Sequence, residues 1–312
     1  MNMTTVFLLA GAAGFVNALG SLFGRRAALS AVPVATLVFA LNLGLAAAYL
    51  PWWWAPQAHL LPDPWWLAPA VGLFLLGGNI CAMSAMSQGA VSLAVPVLSS
   101  KVVLVALGTV LLGHRIPAAT WIGVILVYAG IVTLHAGPRH PAHSRTILLA
   151  LAAALFYAVF DLLVKGYGSG LGQAGLLPAA SVWCLVAFLP ALAVVRPPAN
   201  GRGALALCAG LNGIQTAALT GAIIMAGDAT VPNVLYGCRG IWSVLLVLLL
   251  GAWLGLGENH DRRVIYRRLA GAAIIAAAIA CTMLGGRHAK AGGTPAPTEK
   301  TNVEHSTSNV QP

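Results

Sequence analysis

Apolar runs of about twenty residues, the length that crosses a hydrocarbon core about 30 Å thick, follow one another along almost the entire chain. They lie at residues 4–23, 31–54, 65–86, 89–113, 118–136, 146–166, 174–195, 203–225, 227–251 and 269–285, and predict ten membrane-spanning helices. Of 312 residues, 59 % are hydrophobic and 8 % are charged, a balance that excludes a soluble globular domain. The net charge of +10 is therefore no nucleic-acid signal, because the arginines sit in short connections and no basic patch with interleaved aromatics occurs.

The run Gly89–Gly113 carries one full charge, Lys101, about twelve residues from either end. At about 1.5 Å of rise per residue the ammonium sits about 18 Å from each end, too deep to reach a headgroup easily. An intramembrane lysine is by default a functional candidate facing a polar cavity, although one held by carbonyls or an acidic neighbour would only fix helix packing. Pro96, just before it, predicts a kink that frees carbonyls. Downstream, Gly227, Arg239 and Gly251 match Gly89, Lys101 and Gly113 at one offset of 138 residues (239 − 101). The spans that open the two halves also match, pairing Thr5 with Thr146 and Phe15 with Phe156 at an offset of 141 (146 − 5).

The chain thus reads as duplicated: a first repeat over residues 1–137, a linker over 138–145, a second repeat over 146–286 and a polar tail over 287–312 expected to be disordered. Five spans per half force the halves into opposite orientations, the inverted repeat of a secondary transporter with its site at mid-depth. Lys101 and Arg239, one per half, would hold an anion between them; Arg offers a planar fork for carboxylate or phosphate, Lys a compact charge.

Other candidates line the same depth. Tyr236 and Trp242 lie three residues either side of Arg239 and would share its helix face, as ligand contacts or as packing. Asn79, Asn212 and Gln215 are polar in apolar surroundings, which suits interhelical hydrogen bonds or ligand contact. Asp161 has Lys165 one turn later; the pair reads as an interfacial ion pair, or else Asp161 is a proton carrier or the counter-ion of Lys101 or Arg239. Trp52, Trp53, Trp54, Trp65 and Trp66 read as an interfacial belt. The five cysteines fall at irregular spacing inside apolar segments and read as packing residues. No Walker loop occurs, and no two histidines have metal-ligand spacing on one helix, so neither enzyme activity, nor a cofactor, nor a metal is expected. Most loop arginines lie in odd-numbered connections, which places both termini away from the cytoplasm.

GAVSLAVPVLSSKVVLVALGTVLLG (89–113), WIGVILVYAGIVTL (121–134), the arginine span, the span Leu269–Leu284 and LFYAVFDLLVKG (155–166) resemble the drug/metabolite transporter superfamily, specifically its EamA-type members with two five-helix repeats. The resemblance covers nearly all of the chain before the tail. It departs where the family usually has Gly-Glu after helix four, since His114 follows Gly113. It implies a multi-pass protein of a bacterial inner membrane, with both termini inside, and similar sugar-phosphate translocators place basic residues on helices four and nine, where Lys101 and Arg239 stand. Three readings stay open: a gradient-driven carrier of a small polar, anionic metabolite; an exporter of amino acids or cationic drugs; and a non-transporting scaffold or enzyme. The partners expected are the bilayer, a small-molecule solute and, as an open alternative, a second copy of the chain.

Overall fold

The computed structural model describes residues 3–88, 97–135, 144–196, 198, 200–250, 253–254 and 262–291. Its first three helices are α1 (Met3–Leu29), α2 (Val34–Tyr49, continued by a tight turn of helix at Leu50–Trp54) and α3 (Leu67–Gln88). Two shorter ones follow, α4 (Lys101–Leu111) and α5 (Ala118–His135). The long helical run Ser144–Phe188 is bent at Gly172, whose φ of 70° favours glycine, and divides into the spans α6 (Ser144–Gly168) and α7 (Gly170–Val194). The remaining helices are α8 (Arg202–Ala226), α9 (Thr230–Tyr236), α10 (Arg239–Leu250) and α11 (Arg262–Ala291). No strand occurs among the described residues.

Among the described residues, seven helical segments are long and apolar enough to cross a membrane: α1, Val34–Trp54, Leu67–Ser87, α6, α7, α8 and Thr230–Leu250, which joins α9 and α10. Lys101–Leu111, Ala118–Thr133 and Leu269–Met283 are apolar but shorter. The lysine run differs most from the single helix its sequence predicts. Residues 89–96, including Pro96, lie outside the described residues, and a turn at Ser99–Ser100 interrupts the remainder. At the other end of the chain α11 begins at Arg262, so much of the charged segment expected as a loop is helical, Arg being a good helix former. That helix continues to Ala291, past Arg287 where the polar tail begins; residues 292–312 of that tail and 136–143 of the linker region lie outside the described residues.

Lipid tails are as apolar as leucine, so helices in a bilayer associate by close packing of small residues rather than by hiding from the solvent. The principal contacts here are α1 on α8, α2 on α8, α3 on the α6–α7 run, and α5 on α11. Gly44 of α2 and Gly213 of α8 meet where a Cβ on either would strike the opposing backbone, at Ala209 or at Gly44 itself. Gly213→Leu is therefore expected to cost about 1–3 kcal/mol through forced separation of these helices. A lower melting temperature of the detergent-solubilised variant would show it; a wild-type melt would mean the crossing has slack.

The belt tryptophans cluster at one end of the bundle. Trp54, Trp65 and Trp66 are exposed, Trp52 packs edge-on to Tyr49, and Trp66 packs edge-on to Tyr167.

Candidate functional site

Both intramembrane cations stand immediately after a break in their helix. Lys101 is the first residue of α4, behind the Ser99–Ser100 turn, and Arg239 is the first residue of α10, behind the Gly237–Cys238 turn. A cation at a helix N-terminus works against the helix dipole, which favours negative charge there, so neither residue is placed to stabilise its own helix. The two breaks bring them together instead. Ser99, Lys101, Val102, Val127, Ile131, Asn233, Tyr236, Gly237 and Arg239 line one cavity of about 20 Å³, room for about one water.

The two cations are neutralised differently. Lys101 Nζ lies 2.7 Å from Asp161 Oδ2, on a carboxylate with 0 % exposure, and 5.8 Å from the centre of the Tyr157 ring. Asn233 Nδ2 donates to the same Oδ2 at 2.7 Å, while also donating to the carbonyl of Ala229. The other oxygen, Asp161 Oδ1, is buried and has no hydrogen-bond partner among the described residues. Arg239, by contrast, has no carboxylate within ion-pairing distance among the described residues. Its Nη2 donates to Ser99 Oγ at 3.3 Å and its Nη1 to Tyr236 Oη at 3.4 Å, and its guanidinium lies 4.8 Å from the centre of the Tyr236 ring. Both hydrogen bonds are long for a charge-assisted pair, which normally closes to about 2.7–2.9 Å.

A polar relay extends from Arg239 into α8. Tyr236 Oη donates to Gln215 Oε1 at 2.9 Å, and Gln215 Nε2 donates to Thr216 Oγ1 at 2.8 Å and to Asn212 Oδ1 at 3.3 Å. Gln215 and Asn212 thus reach the site through Tyr236 and do not line the cavity. Tyr236→Phe leaves Gln215 Oε1 buried without its donor, and the expected cost is about 1–3 kcal/mol, read as a lowered melting temperature. Equal melting of the two proteins would mean that Gln215 finds another donor.

Asn79 belongs to a separate network. Its Nδ2 donates to Asn42 Oδ1 and its Oδ1 accepts from Tyr157 Oη, both at 2.8 Å, tying α3 to α2 and α6. Trp242 shares α10 with Arg239 but does not join Tyr236 and Arg239 at the cavity. It packs edge-on against Phe15 of α1 at 5.1 Å and lies outside the cavity. Asp161 does not pair with Lys165 as the one-turn spacing predicts; it pairs with Lys101 across the bundle, and Lys165 lies near enough to Asp228 to feel its charge.

Three contributors are missing from the sequence reading: Asn233, Ser99 and Tyr157. Asn233 was visible on the same ground as Asn79, a lone amide in an apolar run. Nothing local marks Ser99 or Tyr157.

A solved crystal structure superposes on this chain with a TM-score of 0.67 at 20 % identity, covering 90 % of this chain and 98 % of its own, which is a likeness of fold. None of the curated proteins matches. The family model of the EamA-like transporters matches residues 4–135, the part of the chain from α1 to α5. With seven helices of spanning length among the described residues, the chain is an integral, multi-pass membrane protein, and its residues 4–135 match the EamA-like transporter family of the drug/metabolite transporter superfamily.

Proposed function

We propose that this protein is a secondary, gradient-driven transporter of a small polar metabolite bearing an anionic group, working in a bacterial inner membrane by alternating access between two inverted five-helix halves. The observation that carries the reading is one cavity bordered by both intramembrane cations, of which, among the described residues, only Lys101 has a carboxylate. By the 141-residue offset, the counterpart of Asp161 in the first half is Gly20 (161 − 141), which brings no charge to balance Arg239. The three charges Lys101, Asp161 and Arg239 sum to one net positive charge, so a single negative group on the solute balances the site.

The packing supports two exchangeable halves. Exchanging them, with the α9–α10 pair as the partner of α4, turns the contact of α1 on α8 into that of α6 on α3. It turns α2 on α8 into α7 on α3, and returns α5 on α11 to itself. Such an arrangement suits two conformations of similar energy, one open to each side. A cavity of about 20 Å³ has room for about one water, so a metabolite would need the halves to part before it could enter.

A second reading, export of amino acids, draws on Asp161: a zwitterion would set its carboxylate on Arg239 and compete with Lys101 for Asp161. A thermal-shift screen of the purified protein against carboxylates, phosphates, amino acids and amines separates the two. A ligand at 100 times its Kd is expected to add about 2.7 kcal/mol of stability. Stabilisation by carboxylates or phosphates, lost in Arg239→Gln, supports the anion reading. Stabilisation only by amines removes it.

A further inference from the structure

Asp161 holds two donors on one oxygen and none on the other. Oδ2 accepts from Lys101 Nζ and Asn233 Nδ2, both at 2.7 Å, whereas Oδ1 is buried with no partner among the described residues. A buried carboxylate oxygen without a donor is costly, and the native remedy is a hydrogen-bond partner or a proton. Both donors to Oδ2, Lys101 and Asn233, border the cavity, and Asp161 does not. The charge that Lys101 brings to the cavity is thus matched by the carboxylate of Asp161.

We propose that Asp161 is a proton site, and that its protonation frees Lys101 to hold the substrate's anionic group beside Arg239, so that one proton travels with the anion. This rests on the anion reading above and adds the coupling to it. The proton comes from the water phase to which the cavity is open and binds Oδ1; Lys101 keeps its own protons throughout. Neutral Asp161 attracts the ammonium less, and the cavity then presents two cations in place of one. On the opposite side the anion leaves, the proton returns to water, and Lys101 closes back onto Oδ2. The groups that meet Asp161 fit this cycle: Lys101 from α4 and Asn233 from α9 bond it, Tyr236 of α9 is near enough to feel its charge, Tyr157 of its own helix lies against Lys101, and Arg239 of α10 lies against Tyr236. Among them Asp161 is the one carboxyl. The 141-residue offset that matches the opening spans of the two halves puts Gly20 opposite Asp161, so the first half brings no second carboxyl to that position.

The test is pH-difference infrared spectroscopy of the full chain in nanodiscs, following the C=O stretch of a protonated carboxyl. Wild type is expected to show a reversible acid band that is absent in Asp161→Asn and displaced in frequency in Asp161→Glu, the second variant serving if the first does not fold. In Lys101→Gln the band should be present at pH values where wild type lacks it. Wild type showing no acid band at any pH at which its helical circular dichroism is intact would overturn the proposal, as would a band that ignores both Asp161 variants. Inorganic phosphate is the probe for coupling, and excess phosphate is expected to raise the pH at which the wild-type band appears. A band unmoved by phosphate that nevertheless raises the melting temperature overturns the coupling and leaves the anion site standing. A band that titrates in a protein no carboxylate or phosphate stabilises keeps the proton site and removes the anion reading beneath it.

Discussion

Arg239→Gln is expected to weaken binding of the anionic substrate by about 2–5 kcal/mol, on the order of 30-fold or more in Kd, because it removes the one cation of the site that has no carboxylate of its own. In sealed proteoliposomes the same variant should lose nearly all substrate flux. The loss should not follow from misfolding: the guanidinium makes only long hydrogen bonds, at 3.3 and 3.4 Å, to neighbours that are also bonded elsewhere or hydroxylic. Arg239→Lys separates charge from shape. An ammonium keeps the field but not the planar fork that meets two oxygens at once, so binding should be intermediate for a carboxylate or phosphate. Flux in Arg239→Gln equal to that of wild type would remove Arg239 from the site and the anion reading with it.

Lys101→Met is expected to be the most destabilising single change in the bundle, at about 3–5 kcal/mol, because it leaves the carboxylate of Asp161 buried without its cation. The interaction is with one partner, so the loss is reversible by design. In the double variant Lys101→Met with Asp161→Leu no charge is left buried, and a pair replaced by apolar residues of similar volume is often neutral or stabilising. Melting temperatures of the two single variants and the double variant, taken in detergent at one pH, form the cycle. Additive losses would mean that the 2.7 Å contact between Lys101 and Asp161 contributes no coupling. The double variant also separates stability from function: it should fold and should not transport, since both the second cation and the proposed proton site are gone.

The paired charges show where reading from the chain stops. The equal spacing of Lys101 and Arg239 within matched apolar runs was plain in the residues, and both side chains do border one cavity. Their balance was not plain. Asp161 stands one turn from Lys165, and local spacing alone favours that pair; the bundle instead turns its carboxylate inward to Lys101, sixty positions away (161 − 101). A local pair on one helix has no need of a fold, whereas this one exists only after α4, α6 and α9 have packed. Three-residue spacing names a helix face but not what it meets: Arg239 lies against the Tyr236 ring, whereas Trp242, one turn on in α10, packs against Phe15 of α1.

Membrane-spanning character, the helical class and the two matched cations followed from the chain alone, because run length and hydropathy are properties of consecutive residues and a bilayer admits few backbone solutions. Tertiary packing decided the rest: which cation keeps a carboxylate, which amides join Arg239 through Tyr236, and how little room lies between Lys101 and Arg239. Those are distances between residues remote in sequence, and a charge buried in low dielectric takes whichever partner the packed helices bring within reach.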